Sequence, residues 1–504
     1  MAGPVLFQIQ FGSNAYNLDV PERTAAIDAL YRNDEPFNRD GAPESVRNIL
    51  DRYDDIDDLM PQEICTAARA MFADWLIERV YLVEIKTPSD DDGYAIFETM
   101  NDRGLPLSPT EMLKSHLLSN AGTDDTKIRL NVLWKRRIDE LLEIDKEEDA
   151  DAIKSWLRAR HAEKIRERQA GAQPEDFDRI GTEFHRWVRD NGKRLGLLSP
   201  ASYARYVEHD FEFYTSWYAR LREASATLTP GREAIYCNAL ANFTLQYPLM
   251  LSSINPSDPE EVGWCKANVV ASFVDILIAR RLWNGRSIDY NTMQYAMFLA
   301  LKEIRGHSAI EVATLLKRRL DADAPPFAEN TRFGLWQSNK KTIRRFLARI
   351  TSWLETQVGI ATNLAGYLVS SGSQGYDVEH VMADQHVRYT DDFPVEQDFQ
   401  ENRNRIGGLL LLPRSFNRSY GPLPYEEKRT HYLQQNILAQ TFHENAYERN
   451  PGLRRVITDQ HIPFRAHNHF RKEDLEARQK LVTQLAEAVW SASRLEQEAT
   501  PAGS

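Results

Sequence analysis

The chain contains few cysteines, and none of them has a zinc-binding spacing. Its 504 residues include three, Cys65, Cys237 and Cys265, with no Cys-x-x-Cys pair. This pattern excludes a zinc-ribbon fold and argues against a framework of disulfide bonds. A G-x-x-x-x-G-K-[ST] loop is also missing, so the sequence does not predict a Walker-type ATPase.

Long uninterrupted apolar runs are also missing. The N-terminal segment has no basic stretch followed by a long apolar run, so it does not predict a signal peptide. The most apolar segments are residues 239–254 and 268–283, and Asp275, Arg280 and Arg281 interrupt the second. We expect neither segment to span a bilayer. The sequence favours a soluble, cytoplasmic protein.

Acidic residues outnumber basic residues over the whole chain, but one long segment has a positive balance. The formal net charge is −12. Residues 331–480 nevertheless carry 21 Lys and Arg against 17 Asp and Glu, a local +4, so the rest of the chain carries −16. Proteins meet a phosphate backbone with local basic patches rather than with net charge. This distribution permits nucleic-acid binding but does not by itself indicate it.

Helical periodicity dominates the sequence. From about residue 125 to residue 356, amphipathic segments follow one another, separated by breakers such as LGLLSP and DADAPP. Residues 78–86 (ERVYLVEIK) predict a strand. In LSPTEMLK, Ser108 is a plausible N-cap, with Pro109 at N1 and Glu111 at N3 of a helix.

The stretch YDVEHVMADQH, residues 376–386, concentrates acids and histidines in a largely helical chain. Glu379 stands directly beside His380, and the run IGGLLLLP at residues 406–413 predicts a buried strand. Phosphodiester cleavage needs a base that activates water, and oxygen or nitrogen ligands for a divalent metal. The alternative interpretation of the Glu-His pair is a polar surface loop.

The order of these elements resembles the hairpin and helix of HNH nucleases. Asp377 to His380 would end the first strand, residues 408–412 would form the return strand, and Asn417 would lie on the helix. Neighbouring residues on a regular strand point to opposite faces. Glu379 and His380 can therefore serve one site only if the strand ends there.

Longer motifs resemble one protein family. The sequence EHV…IGGLLLLPRSFNRSYG…YEEKRTHYLQQNILAQTFHENAYERNP is similar to the C-terminal nuclease half of GmrSD-type (type IV restriction) proteins. FETMNDRGLPLSPTEMLKS resembles a signature of that family's N-terminal half, and RRLWNGRSIDYNTMQYAMF resembles its helical middle. The resemblance covers most of the chain from about residue 40 onward.

The resemblance implies a role for each residue of the hairpin. His380 aligns with the general base that activates water, Glu379 with the acidic metal ligand, and Asn417 with the last ligand of the motif. A turn or cap is the alternative role for Asn417. Asp384 and His386, in the ADQH loop, are candidates for further metal ligands or DNA contacts. The implied cofactor is Mg²⁺ or Mn²⁺.

Basic residues flank the motif, and one position departs from the family pattern. Arg403, Arg405, Arg414 and Arg418 are candidate phosphate contacts, with a solvated basic face as the alternative. Many family members carry IGNL where this chain has IGGL, with Gly408 in place of Asn. This substitution leaves the efficiency of catalysis open.

The NDRG turn is the other informative motif. Arg103 can clamp a phosphate in bidentate fashion, and the resemblance places Asn101 and Arg103 beside the nucleotide pocket of a ParB-like domain. The alternative is that NDRG caps one helix and starts the next. The family's DGQQR motif is missing here. We therefore expect a small ParB-like partner protein that supplies DGQQR and completes an NTP site.

Together these observations predict a mainly α protein with small α+β parts. We expect a partial ParB-like domain at residues 1–125, a helical domain at 126–360 and an HNH-type (ββα-metal) nuclease domain at 361–504. The implied function is a metal-dependent DNA endonuclease of a prokaryotic antiphage restriction system, with modified phage DNA as a candidate substrate. The alternatives are a non-catalytic DNA-binding sensor or scaffold with a degenerate HNH fold, and an RNase that uses the same residues.

Overall fold

Helices account for most of the described chain, and the predicted mainly α architecture with small α+β parts is confirmed. The structure is a computed structural model that describes residues 7–10, 13–16, 21–32, 37–39, 42–81, 108–169, 171–369 and 375–500. The chain divides into two compact units, residues 1–105 and 106–504.

The first unit begins with a short antiparallel hairpin of β1 (Phe7–Gln10) and β2 (Ser13–Tyr16). Its described helices are α1 (Pro21–Arg32), α2 (Glu44–Leu59), α3 (Gln62–Cys65) and α4 (Arg69–Arg79). Ala26, Val46 and Leu50 form a small buried core. Because α4 continues to Arg79, the predicted strand does not begin at Glu78. Residues 82–86 lie outside the described residues.

The helices of the second unit form layers around a long buried helix. Up to residue 368 they are α5 (Pro109–Ser119), α6 (Asp124–Leu142), α7 (Glu148–His161), α8 (Asp176–Asp190), α9 (Pro200–Arg205), α10 (Glu212–Ala226), α11 (Glu233–Leu240), α12 (Gln246–Ser253), α13 (Glu260–Trp283), α14 (Tyr290–Ile304), α15 (Ala309–Asp323), α16 (Lys340–Gln357) and α17 (Leu364–Leu368). A π-helical turn, Tyr206–Phe211, joins α9 to α10.

The helix start predicted at Ser108 is confirmed. The Ser108 hydroxyl accepts from the backbone N–H of Glu111, the Glu111 carboxylate accepts from that of Ser108, and Pro109 is at N1. Leu113 and Leu117 of this helix are fully buried in the core of the second unit. The boundary between the compact units therefore lies after residue 105, before this helix, whereas the sequence predicts a domain boundary after residue 125.

Helix α13 is the long buried helix. It begins at Glu260, directly after Pro259, so it is longer than the apolar segment 268–283 recognised in the sequence. By length and composition alone it could cross a membrane, but 83% of its apolar window is buried inside the fold. Most of its apolar side chains belong to the core. The Asp275 carboxylate pairs with Arg349 at 2.8 Å, which keeps that buried acid compensated.

The second unit contains one further strand pair among its described residues. Strand β3 (Tyr376–His380) runs antiparallel to β4 (Leu409–Pro413), and His380 is opposite Leu409. The helices after β3 are α18 (Glu396–Arg403), α19 (Arg414–Tyr420), α20 (Tyr425–Tyr432), α21 (Ile437–Gln440), α22 (Glu444–Arg449), α23 (Pro451–Gln460), α24 (Lys472–Val489) and α25 (Arg494–Glu498). One continuous apolar core extends from Leu113 to Ala499 through the helical middle and this hairpin. The division into three domains stays a prediction.

Candidate active site

The hairpin places Glu379 and His380 at the end of a strand. Strand β3 stops at His380, as the sequence requires if both residues are to serve one site. The return strand is predicted at residues 408–412 and is observed at Leu409–Pro413, one residue later, because residues 406–408 form a 3₁₀ turn. Its four leucines are buried, and α19 follows at once.

The ring of His380 is held by one amide. Its Nε2 atom lies 2.7 Å from Oδ1 of Asn404, the C-cap residue directly after helix α18. An amide oxygen only accepts hydrogen bonds, so Nε2 donates and the lone pair is on Nδ1. Burial, followed by the nearby Arg403 guanidinium, lowers the pKa of His380 to about 4. The ring is therefore neutral at physiological pH.

Glu379 lies beside a buried lysine. Its Oε1 atom accepts a hydrogen bond of 2.6 Å from Nζ of Lys428, and the two side chains are 6% and 1% exposed. The same Nζ donates to the carbonyl oxygen of His380 at 2.9 Å. Burial raises the pKa of Glu379 and lowers the pKa of Lys428. The attraction between the two charges offsets part of both changes. Lys428 therefore fixes both the carboxylate and the end of the strand.

Arg403 lies beneath the site rather than on its surface. Its side chain is 11% exposed, and its guanidinium donates to the carbonyl of Met382 and to the side chain of Gln400. Its positive charge adds to the lowering of the pKa of His380 by burial, and it offsets part of the rise that burial causes in the pKa of Glu379. Arg403, which the sequence predicts as a phosphate contact, is thus a largely buried cation in this structure. Its charge acts on the neighbouring side chains of Glu379 and His380.

Asp384 and His386 have partners of their own. The Asp384 carboxylate accepts from Gln400 at 2.7 Å and lies 3.9 Å from Arg403. The Nε2 atom of His386 lies 2.6 Å from the carbonyl oxygen of Phe393, so this ring nitrogen donates. Hydrogen bonds therefore engage one oxygen of the predicted ligand Asp384 and one ring nitrogen of the predicted ligand His386.

The described residues do not fit a preformed metal centre. They contain no group of three or more His, Cys, Asp or Glu side chains arranged to hold an ion. The carboxylate at the hairpin is already neutralised by the ammonium of Lys428. Oxygen ligands for Mg²⁺ or Mn²⁺ are usually gathered carboxylates and carbonyls.

The other predicted site residues lie on neighbouring elements. Arg405 forms a β-bridge with Gly334, and Arg414 is the first residue of α19. Asn417 and Arg418 are in α19, but their side chains lie outside what the structure describes. The predicted nucleotide contacts Asn101 and Arg103 also lie outside the described residues.

Two residues of the site, Lys428 and Asn404, are not among those predicted from the sequence. Lys428 is on the same face of α20 as Tyr425 and Tyr432, at a spacing of three and four, and all three are buried. A lysine on an otherwise aromatic stripe is the signal that would have indicated it. Asn404 carries no comparable signal, because its contact with His380 joins residues 24 apart in the sequence.

Comparison with known families agrees with this geometry. The model of the GmrSD restriction endonuclease N-terminal domain matches residues 9–118, and that of the GmrSD restriction endonuclease C-terminal domain matches residues 327–485. The chain belongs to the GmrSD family of restriction endonucleases. The resemblance read from the sequence is thereby confirmed. A search of curated proteins returns no match.

The GmrSD assignment gives the hairpin its context. Both strands, Asn404 and Lys428 lie inside the matched C-terminal domain. The domains are those of a restriction endonuclease of phage defence, a class that acts on DNA and generally uses divalent metals. At Gly408, an added Cβ atom would lie 2.9 Å from Cδ1 of Leu475. An asparagine at this position would therefore require Leu475 to move.

Proposed function

We propose that this chain is the HNH-type endonuclease subunit of an antiphage restriction system and that it cleaves DNA phosphodiester bonds at the β3–β4 hairpin. The observation that carries the proposal is the fixed neutral imidazole of His380 at the end of β3, with Nδ1 unprotonated. It belongs to a strand pair followed directly by a helix, inside the nuclease-domain match.

His380 is the general base in this proposal. Nδ1 accepts a proton from water as the water oxygen attacks phosphorus and the bond to the leaving oxygen breaks. Asn404 holds the ring by accepting from Nε2. A pKa near 4 makes the imidazole a weak base, but a phosphate bound beside it raises that pKa because anionic charge stabilises imidazolium.

Glu379 and Lys428 act as a positioning pair in the described conformation. Their buried contact fixes the end of β3, and Lys428 also binds the carbonyl of His380. The family's use of divalent metals supports a requirement for Mg²⁺ or Mn²⁺. The sequence assigns Glu379 and Asn417 as the ligands, and that assignment stays a prediction.

A non-catalytic DNA-binding sensor or scaffold is the second candidate function. The observation that favours it is the carboxylate of Glu379, which is buried and neutralised by Lys428 rather than free for a cation. The missing DGQQR motif supports a small ParB-like partner that supplies it and completes an NTP site. We place both proteins in the cytoplasm, where phage DNA is exposed.

A plasmid assay separates these candidates. The purified chain, alone and with the product of a neighbouring gene that encodes DGQQR, is incubated with supercoiled plasmid, modified phage DNA or RNA. Each reaction contains Mg²⁺, Mn²⁺ or EDTA. DNA cleavage that EDTA abolishes supports the endonuclease. Binding without cleavage under every condition supports the scaffold, and cleavage of RNA alone supports an RNase.

A further inference from the structure

A single loop presents an exposed tryptophan next to the candidate active site. The Trp336 loop, residues 331–339, precedes helix α16, and the Trp336 side chain is 58% exposed. Within the described part of the second unit, no other tryptophan is exposed to a comparable extent. Tryptophan is enriched at binding interfaces, because its ring combines a large apolar surface with a polar N–H group.

The loop is held rigidly. The backbone N–H of Trp336 donates to Oδ1 of Asn339 at 2.7 Å, and the Asn339 amide donates to the carbonyl of Gly334 at 2.9 Å. A Cβ atom at Gly334 would lie 2.3 Å from the carbonyl oxygen of Asn404, so only glycine fits there. The backbone that carries the exposed ring is therefore already ordered before a ligand binds, which lowers the entropic cost of binding.

The loop and the catalytic base share one anchor. The carbonyl oxygen of Asn404 accepts from the backbone N–H of Leu335 at 2.7 Å, while its side chain accepts from the ring of His380. The carbonyl of Phe333 accepts from Ile406 at 3.0 Å. Trp336 directly follows Leu335, whose backbone is bonded to Asn404. The Asn404 side chain in turn contacts the His380 ring. A nucleic-acid strand whose phosphate reaches His380 passes close to this loop.

The charge of the surrounding segment suits a polyanion. Residues 330–354 contain six basic residues and no Asp or Glu. Arg332 and Lys341 are exposed and form no ion pair among the described residues, while Lys340 pairs with Asp377 at 2.8 Å. Basic side chains that bind phosphates beside an aromatic ring that stacks on a base are the recurrent elements of nucleic-acid grooves.

We propose that the Trp336 loop is a DNA-contacting element, in which the indole stacks on a base or sugar next to the bond cleaved and Arg332 and Lys341 bind flanking phosphates. The proposal rests on the proposed function, because it takes the DNA strand at His380 as given. It assigns a substrate-positioning role to a loop outside the hairpin motif.

Binding and cleavage are measured separately. Affinity for fluorescently labelled duplex and single-stranded DNA is measured by anisotropy in the full-length His380→Ala background, where the DNA stays intact. Trp336→Ala is expected to weaken binding by roughly tenfold, the scale of a lost aromatic–base stack. Trp336→Phe keeps a ring and is expected to retain most of the affinity. Leu198→Ala, which removes an apolar side chain that is 73% exposed, is the matched control and is expected to change nothing.

Salt dependence distinguishes stacking from phosphate contact. Lys341→Gln is expected to reduce the slope of log affinity against log salt by about 1. Trp336→Ala removes no charge, so its slope is expected to equal that of the parent protein while affinity falls at every salt concentration.

The outcomes separate this proposal from the function it rests on. If the wild-type chain cleaves DNA and Trp336→Ala binds and cleaves equally well, the loop proposal is overturned and the endonuclease stands. If the chain binds DNA through Trp336 but does not cleave, the loop proposal stands and the scaffold function replaces the endonuclease. A chain that neither binds nor cleaves DNA overturns both.

Discussion

The ammonium nitrogen of Lys428 lies 2.6 Å from the carboxylate of Glu379, and both side chains are withdrawn from water. A buried ion pair of this kind gains little net stability over an apolar pair, but removing one partner leaves an uncompensated charge. The contact connects helix α20 to the end of β3, where the candidate base His380 is located. Variants of Lys428 and Glu379 therefore test directly whether this contact stabilises the site.

Breaking this pair is predicted to destabilise the protein. Lys428→Met leaves the Glu379 carboxylate buried alone and is expected to cost about 3–5 kcal/mol of unfolding free energy. The double variant Lys428→Met/Glu379→Gln removes both charges and is expected to recover most of that loss. Chemical denaturation monitored by fluorescence measures both effects.

An exposed pair provides the control for this prediction. Lys317 and Glu496 lie 2.7 Å apart, with side chains 37% and 58% exposed. Lys317→Met is expected to change stability by less than about 1 kcal/mol. Equal effects of Lys428→Met and Lys317→Met would contradict the buried-pair interpretation.

The pH dependence of cleavage is predicted to depend on Asn404. Because the pKa of His380 in the free protein is lowered to about 4, the base stays neutral before DNA binds, and the cleavage rate at subsaturating DNA, which reports the free protein, is expected to stay level down to about pH 5. Asn404→Asp places a carboxylate beside the ring, which stabilises imidazolium and raises its pKa by roughly 1–3 units. The acidic limb of the rate profile should move up by that amount. Identical limbs in both proteins, near pH 6.5, would show that Asn404 does not set the state of the base.

Much of the hairpin could be predicted from local sequence, because its elements have local causes. The leucine run 409–412 is short and lies between a double glycine and Pro413, which favours a buried strand over a helix, and the basic, polar start of α19 directly follows Pro413. The alternation of side chains along a strand required β3 to stop at His380, and it does.

The partners of these residues could not be predicted, because tertiary packing chooses them. The aromatic stripe of α20 indicates that Lys428 is buried, but nothing in the sequence shows that its partner is Glu379. Arg403 reads as a surface cation beside a nuclease motif, yet packing against the segment after β3 buries it. Asn404 lies between two arginines and has no distinctive sequence context, although it anchors both the ring of His380 and the Trp336 loop.

The prediction that Glu379 and Asn417 are metal ligands is tested by measuring cleavage as a function of the Mn²⁺ concentration. If Glu379 and Asn417 bind the cation, Asn417→Ala and the double variant Lys428→Met/Glu379→Gln, which leaves neither member of the buried pair uncompensated, should each raise the Mn²⁺ concentration for half-maximal cleavage. Asn450, whose side chain caps α23 by accepting from Leu453 at 3.0 Å, supplies the control, since Asn450→Ala should lower stability alone. An Asn417→Ala variant that behaves like Asn450→Ala would assign Asn417 a capping role instead.

His380 is proposed to be the general base of a DNA endonuclease. The most direct test compares single-turnover cleavage by His380→Ala with cleavage by a variant of a second histidine. His307 suits the comparison, because it is exposed on the helical middle and pairs loosely with Glu311 at 3.6 Å. The rate for His380→Ala is predicted to fall by roughly 10²–10⁴, the usual contribution of a general base, with an unchanged melting temperature. His307→Ala should cleave like the wild type. Cleavage by His380→Ala at the wild-type rate would contradict the account.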